Sequence, residues 1–97
     1  MTGTIRSSEG LDVRRRKLLF RSWHRGIREV DLILGRFADA RLAAMGEGGL
    51  DEYEKLLDVP TPDILAWVMG ERPVPPGQAT PLLAEMIDFH MSGKTAR

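Results

Sequence analysis

Two helical patterns near the amino terminus meet at the stretch His24-Arg25-Gly26-Ile27-Arg28-Glu29-Val30-Asp31, which decides how the chain begins to fold. The residues before this stretch are strongly basic, and those after it are strongly amphipathic. Glycine readily adopts the left-handed conformation that ends many helices, so Gly26 predicts a turn between two helices. We refer to residues 24–31 as the glycine corner. Its Arg-Gly-x-x-Glu step places a guanidinium, a bare stretch of backbone and a carboxylate within one helical turn of each other.

The composition limits the kinds of protein that this chain can be. Its 97 residues are typical of one domain with a single core. Cysteine is absent, which excludes disulfides, thiolate catalysis and zinc fingers, and His24 and His90 have no spacing that suggests a metal site. No apolar run approaches the roughly 18–20 residues of a membrane span. The Ser/Gly/Thr-rich first ten residues do not form a secretory signal, and we expect a cytoplasmic, bacterial protein without membrane insertion.

The charges are distributed unevenly along the chain. Residues 1–46 contain ten Lys and Arg against five Asp and Glu, a net charge of +5, whereas residues 47–97 contain four against nine, a net charge of −5. The basic half suggests an acidic partner, a phosphate group or a nucleic acid, or else the two halves attract each other in the fold. For the basic run over residues 14–17 a solvated helix face is favoured, because the net charge of the chain is zero and no helix-turn-helix or RNA-binding motif is present. We therefore predict no nucleic-acid partner.

Helical spacing recurs along the chain, without the alternation that is typical of strands. Glycines and prolines separate the helices, with Glu-Gly-Gly at 47–49 read as a loop and Thr61-Pro62 and Thr80-Pro81 read as helix starts. The five predicted helices span about residues 12–24, 27–44, 50–57, 61–69 and 80–92. These patterns predict an all-α fold, a compact five-helix bundle. The domain occupies residues 11–93, between a disordered tail over residues 1–10 and a frayed tail over residues 94–97.

The helical wheel of the first helix assigns its side chains to two faces. Leu19, Phe20 and Trp23 are predicted to face the core, whereas Leu18 sits among basic side chains and is predicted to be an exposed apolar contact. In the second helix, Gly35 lowers the stability of the helix by about 1 kcal/mol relative to alanine. Close helix packing or the approach of a partner explains a glycine at this position. Other residues are predicted to fill the core, namely Trp67, Met45, Met69, Met86 and Met91.

The glycine corner is the candidate site. In one interpretation it is purely structural: Gly26 makes the turn, Glu29 caps the second helix and Arg25 is solvated. In the other it is functional, because four basic residues cluster within two turns of Gly26, and a glycine lets another backbone approach closely. The chain has no Ser/His/Asp set, no glycine-rich phosphate loop and no carboxylate pair in an apolar setting. We therefore predict that it is not an enzyme and that it holds no metal.

The run Leu18-Leu19-Phe20-Arg21-Ser22-Trp23-His24-Arg25-Gly26-Ile27-Arg28-Glu29-Val30-Asp31 resembles the signature region of the SdhE family, the succinate dehydrogenase flavinylation factors. Tyr53-Glu54-Lys55-Leu56-Leu57-Asp58 resembles the third helix of that family, and Pro62-Asp63-Ile64-Leu65-Ala66-Trp67 the fourth. The likeness covers about residues 12–92. It implies a five-helix, chaperone-like assembly factor that binds the flavoprotein subunit of succinate dehydrogenase, or of fumarate reductase, and promotes covalent attachment of FAD. FAD is then carried by the partner, with no cofactor held stably by this chain.

By position, the resemblance makes Arg25, Gly26 and Glu29 the signature residues of the partner-binding surface. The neighbours that we assign to the same surface are Arg21, His24, Arg28, Asp31, Leu18 and Leu32. His24 stands where a basic residue is common in the family. Two alternatives stay open: a carrier that itself binds FAD, and an antitoxin-like regulator that binds a membrane or cytoskeletal partner.

Overall fold

The computed structural model describes residues 10–95, with side chains over residues 10–92. This part of the chain forms five α-helices and two short 3₁₀ helices and contains no strand, which confirms the predicted all-α five-helix fold. The α-helices are α1 (Val13–Trp23), α2 (Arg28–Arg41), α3 (Glu47–Leu57), α4 (Thr61–Val68) and α5 (Pro81–Thr95), and the 3₁₀ helices are Leu42–Ala44 and Pro76–Gln78. Most of the two predicted tails lies outside the described residues.

Local signals in the sequence set several helix ends. Gly70 directly follows Met69, the C-cap residue of α4, and has a φ angle of +76°, the left-handed conformation in which glycine ends a helix. Gly26 has a φ angle of +96° and makes the turn between α1 and α2, two residues after the C-cap residue His24. The Thr80 hydroxyl accepts a hydrogen bond of 3.1 Å from the backbone N–H of Leu83, which confirms the predicted start of α5. The end predicted at Gly93 is wrong, because α5 continues to Thr95. Glycine permits a left-handed turn but does not impose one.

The loop predicted at residues 47–49 is also wrong, because these residues form the first turn of α3. Glu47 places a carboxylate at the positive end of the helix dipole, which favours a start at this position. The next turns of α3 bury Leu50 and Tyr53 in the core. Favourable charge and packing of these neighbours therefore offset the low helix propensity of the two glycines.

The core is built around α2, which packs against α1, α4 and α5, while α3 packs against α1 and α5. Phe37 lies at the centre, with ring centroids 6.0 Å from Tyr53 and 5.6 Å from Phe89. Trp23 and Trp67 are buried as predicted, and the Trp23 indole donates a hydrogen bond of 3.4 Å to Asp39 Oδ1. Met86 is buried and Met45 half-buried. The prediction is wrong for the other two methionines, Met69 and Met91, since each lies on the solvent side of its helix.

The assignment of Leu18 and Phe20 on α1 is the reverse of the prediction. Leu18 is only 2% exposed, whereas Phe20 is 63% exposed. Both residues flank Leu19. The side chains that lie three or four positions from Leu18 on α1 contact α3 or the residue after it, namely Arg14, Arg21 and Ser22, so α3 packs across the side that carries Leu18. The buried face of α1 consists of Leu18, Leu19, Ser22 and Trp23. Leu18 is therefore a core residue and does not belong to an exposed contact surface.

Ion pairs join the basic first half of the chain to the acidic second half. Arg14 on α1 lies 3.1 Å, 2.7 Å and 3.0 Å from carboxylate oxygens of three residues on α3, which are Glu47, Asp51 and Glu54. Arg21 pairs with Asp58 at 2.9 Å, and Arg41 pairs with Glu85 at 3.1 Å. Each exposed pair contributes little stability, about 0–1 kcal/mol. Most pairs among the described residues nevertheless join the two halves, which supports the interpretation that the halves attract each other.

Candidate functional site

The backbone of the glycine corner is closed by Asp31. Its Oδ1 accepts a hydrogen bond of 2.6 Å from the backbone N–H of Arg25, across the left-handed turn at Gly26. Ile27 is the N-cap residue of α2 and makes no side-chain cap bond. The capping role predicted for Glu29 is wrong, because the Glu29 carboxylate is exposed to solvent and α2 has no side-chain cap bond. The corner is fixed without using Glu29.

Two arginines tie the corner to the carboxyl end of α3. The Arg25 guanidinium donates to the carbonyl oxygens of Leu57 and Val59, the latter at 2.7 Å. Arg21 Nη2 lies 3.3 Å from the Leu57 carbonyl oxygen and 2.9 Å from Asp58 Oδ1. The last carbonyls of a helix have no partner within it and carry a partial negative charge, so cations stabilise this end. The corner arginines therefore hold α1 and α3 together.

Arg25 is not solvated, so the structural interpretation of the corner is wrong for this side chain. Its side chain is half-buried, and its Nε atom has no hydrogen-bond partner within the described residues. Burial lowers the pKa of Arg25, and the nearby charge of Arg21 acts in the same direction. The guanidinium still remains charged at neutral pH. The main role visible for this side chain is to position the corner.

The outer side of the glycine corner is open. A Cβ atom built on Gly26 would meet nothing within 4 Å, so another backbone can approach this position closely. His24, Arg28 and Glu29 are exposed around it. Arg28 and Glu29 form no ion pair with any residue of the described region. The corner thus presents a bare backbone beside a cation and a carboxylate, neither of which forms an ion pair with another described residue.

A family model described as the flavinator of succinate dehydrogenase matches residues 16–90 of this chain. This match includes the glycine corner and extends into α5. The chain belongs to the flavinator family. The resemblance that the signature run indicated is thereby confirmed.

Curated relatives of this flavinator family member come from bacteria and from mitochondria. It is 37% identical over 82 residues to the FAD assembly factor SdhE of Acetobacter pasteurianus, covering 84% of this chain and 75% of the relative. It is 45% identical over 71 residues to the mitochondrial succinate dehydrogenase assembly factor 2 of Debaryomyces hansenii, and 38% identical over 76 residues to that of Dictyostelium discoideum. These matches cover 73% and 78% of this chain, and it spans only about half the length of the two mitochondrial relatives. No solved structure matches the chain.

Most of the residues predicted to bind a partner lie at the glycine corner of this family member, but they differ in exposure and in contacts within the chain. Gly26, His24, Arg28 and Glu29 are exposed. Three others are engaged inside the chain, namely Arg21, Arg25 and Asp31. Leu32 is half-buried against the core, and Leu18 is buried within the core.

Sequence reasoning missed Phe20 as a surface residue of the flavinator fold. Its ring stacks on the His24 imidazole with centroids 3.9 Å apart and an interplanar angle of 18°. His24 Nδ1 lies 2.7 Å from the Phe20 carbonyl oxygen. Because a carbonyl only accepts, the imidazole carries a proton on Nδ1 and turns Nε2 outward. The signal in the sequence was the spacing of four residues between Phe20 and His24, which places the two rings on one side of a helix. To recognise that side as the surface, one must know which side of α1 is covered by other helices.

Other features of the described chain lie away from the corner. A groove of about 380 Å³ runs between the 3₁₀ helix after α2, α3 and the start of α5, with Arg41, Glu52 and Glu85 among its lining residues. No group of three or more His, Asp or Glu residues in the described region could hold a metal ion. Within the same region, none of the helices combines the length and hydropathy of a membrane span.

Proposed function

We propose that this chain is an assembly factor that binds the flavoprotein subunit of succinate dehydrogenase and promotes covalent attachment of FAD to that subunit. The observation that carries the proposal is the open backbone at Gly26, in a chain whose family is named for this modification. The relatives named as assembly factors for FAD and for succinate dehydrogenase support the same function. In this proposal the chain supplies no reacting group, and FAD stays with the partner.

The physical contribution that we propose is positioning. Attachment takes place between the flavin and the flavoprotein, so a helper accelerates it by stabilising the arrangement of that subunit in which the two groups meet. Gly26 allows the close approach of the partner backbone. Glu29 pairs with a basic or amide group, while Arg28 and His24 contact acidic or carbonyl groups beside it. Arg25 acts indirectly, because its hydrogen bonds to the end of α3 hold the corner in place.

A pair of glycine substitutions tests the proposal. Gly26 and Gly70 both have positive φ angles and open space around the Cβ position, so Gly26→Leu and Gly70→Leu introduce similar backbone strain, about 1–3 kcal/mol each. We expect both variants to lose similar stability in thermal unfolding. Only Gly26→Leu should reduce covalent flavin on the flavoprotein subunit, measured by flavin fluorescence after denaturing electrophoresis of cells. Equal flavinylation with the two variants would contradict a docking role for the corner.

Glu29 offers a second test that does not strain the backbone. Glu29 and Glu71 are both exposed, and neither forms an ion pair with the described residues. We expect Glu29→Ala to lower flavinylation and Glu71→Ala to leave it unchanged, with both variants folded as judged by circular dichroism. A wild-type level of flavinylation with Glu29→Ala would show that the Glu29 carboxylate does not contribute to docking.

The two alternative functions predict different observations. A flavin carrier is yellow when purified and shows saturable binding in a titration with free FAD. A regulator co-purifies with a small membrane protein or a cytoskeletal protein, whereas the proposed assembly factor co-purifies with a much larger flavoprotein. Mass spectrometry of that complex also identifies the subunit as that of succinate dehydrogenase or of fumarate reductase.

A further inference from the structure

We propose that the outward side of α1 is a second docking surface, which adjoins the glycine corner and binds a segment of the flavoprotein that carries both acidic and apolar side chains. The surface consists of Val13, Arg16, Lys17, Phe20 and His24, and we call it the α1 outer face. The inference rests on the function proposed above and adds a contact region to the corner.

The members of the α1 outer face share one side of the helix. Positions 13, 17, 20 and 24 recur at intervals of three and four, which places their side chains above one another. The opposite side of α1 is buried in the core. Val13 is 56% exposed and Phe20 63% exposed, although both are apolar. Exposed apolar area rimmed by polar side chains is a feature of interaction sites, and on this face it lies beside cations.

Contacts within the chain hold the aromatic part of this face. Phe20 stacks on His24, and the imidazole is held in turn by its hydrogen bond to the Phe20 carbonyl oxygen. A side chain that is ordered before binding loses less conformational freedom when a partner covers it. Large aromatic residues are also enriched at interfaces. The stacked pair is therefore suited to be an anchor for a partner.

The charges of α1 indicate the chemistry of the partner. No acidic residue occurs between Val13 and His24. Three of the cations in this stretch face the protein itself: Arg14 and Arg21 pair with carboxylates on or just after α3, and Arg15 pairs with Asp12. Arg16 and Lys17 are exposed and form no ion pair with the described residues. The α1 outer face is thus basic as well as apolar, and complements a segment with acidic and apolar side chains.

The dimensions of the face favour one partner that covers both surfaces. From Val13 to His24 the helix rise amounts to about 16 Å, and the face ends two residues before Gly26. Two apolar side chains bury far less than the roughly 800 Å² per partner of a stable interface, so this face does not hold a protein alone. Because the α1 outer face is continuous with the glycine corner, a partner that covers both makes a longer contact along α1.

The test measures the affinity of the purified chain for the purified flavoprotein subunit of succinate dehydrogenase by titration calorimetry. Phe20→Ala removes the aromatic anchor, and Lys17→Glu reverses one charge. The controls are Met69→Ala, which truncates an exposed apolar side chain just after α4, and Lys55→Glu, which reverses the charge of an exposed lysine on α3. We expect Phe20→Ala to raise Kd about tenfold and Lys17→Glu to raise it severalfold. The controls should leave Kd unchanged, and Phe20→Ala should unfold at the wild-type temperature because its ring lies outside the core.

Each result separates the inference from the proposed function. If Phe20→Ala and Lys17→Glu bind like the wild type while Gly26→Leu does not, the α1 outer face is not a docking surface and the proposed function stands. If the wild-type chain does not bind the flavoprotein, both are wrong. If the two α1 variants keep their affinity for the flavoprotein but lose binding to vesicles containing phosphatidylglycerol, the face binds membranes and the inference is overturned.

Discussion

The ring of Trp23 lies against the backbone of Gly35. A Cβ atom built on Gly35 would fall 2.2 Å from Cδ2 of the indole and 2.3 Å from Cε2, well inside van der Waals contact. The largest side chain of α1 thus packs where α2 has none, which brings the two helices close together. Of the two explanations that the sequence allowed for a mid-helix glycine, close helix packing is the one that the structure supports.

Gly35→Ala is expected to destabilise the protein. Alanine gains about 1 kcal/mol of helix propensity, but its methyl group meets a rigid, buried ring, and overpacking of this kind typically costs 1–3 kcal/mol or more. We expect a net loss of about 1–2 kcal/mol in the free energy of unfolding, measured by urea denaturation.

Gly48→Ala is the matched control for this substitution. Gly48 also lies in a helix, but a Cβ atom there would meet nothing within 4 Å. Without a clash the helix propensity of alanine dominates, and we expect a gain of up to about 1 kcal/mol. A Gly35→Ala variant as stable as Gly48→Ala would show that the indole can move away at little cost.

Arg25→Ala is expected to reduce stability as well as function. It removes the hydrogen bonds to the carbonyl oxygens of Leu57 and Val59, which lie at and beyond the end of α3. Hydrogen bonds from a charged group to partly buried acceptors of this kind justify an expected loss of about 1–3 kcal/mol in urea denaturation. Arg25→Lys should recover only part of the loss, since an ammonium lacks the planar fork that reaches both carbonyls.

The matched control for Arg25 is Arg28→Ala, three residues along the chain. Arg28 is exposed and forms no ion pair with the described residues, so its removal should change the free energy of unfolding by less than about 0.5 kcal/mol. If flavinylation falls in Arg28→Ala without a loss of stability, Arg28 belongs to the docking surface. Equal stability of the Arg25 and Arg28 variants would mean that Arg25 does not hold the end of α3.

Tyr53 should make stability fall at high pH. Its hydroxyl donates a hydrogen bond of 3.3 Å to the Leu34 carbonyl oxygen and lies 2.6 Å from Ser22 Oγ, whose own proton is donated to the Leu18 carbonyl oxygen at 2.7 Å. Both partners of the phenol therefore accept from its one proton. Burial raises the pKa of Tyr53 well above its ordinary value. The phenol therefore ionises near pH 10 in the unfolded chain but stays protonated in the folded one.

The sign of the Tyr53 effect follows from this difference. Below about pH 10 its contribution to stability is complete, and above that pH stability declines by up to about 1.4 kcal/mol per pH unit. Tyr53→Phe should lack this part of the decline in urea denaturation at increasing pH. Tyr53 is the only tyrosine, so the ultraviolet absorbance of phenolate reports it directly. Phenolate that appears near pH 10 before the protein unfolds would contradict the prediction.

Arg14→Ala is expected to weaken the contact between α1 and α3 in a salt-dependent manner. The substitution leaves the carboxylates of Glu47, Asp51 and Glu54 without their shared cation. We expect a lower unfolding temperature than for Arg16→Ala, which removes an exposed neighbour with no ion pair to the described residues. The difference should shrink at high ionic strength, because salt screens exposed charges. A difference that persists in high salt would point to packing of the Arg14 stem instead.

The signals that predicted the fold were local ones. Gly26 and Gly70 adopt the left-handed conformation that ends helices, and Thr80 caps α5 through its hydroxyl. Such features depend on the residue and on its immediate neighbours, so they can be seen without a tertiary structure. Local signals failed at the start of α3. The glycines at 48 and 49 predicted a loop, but the charge of Glu47 and the packing of α3 outweighed their low helix propensity.

The candidate site was predicted in place but not in detail. Family resemblance and the position of Gly26 located the corner, and the structure leaves Gly26 open. The use of Arg25 inside the chain was missed, because its acceptors Leu57 and Val59 lie more than thirty residues away. A hydrogen bond at that separation depends on how α1 meets α3, and no local pattern encodes it.

The sequence by itself determined the helices, the turn at Gly26 and the opposite charges of the two halves, because propensity, left-handed glycine and net charge are properties of short segments. The tertiary structure alone decided that Leu18 is buried and Phe20 exposed. Both residues border the same apolar arc of α1, and the choice between them depends on the side from which α3 packs. Helices pack in the arrangement that removes most apolar area from water, and this arrangement decides which side of α1 remains exposed. The surface that a partner meets therefore depends on helices that are distant in the sequence.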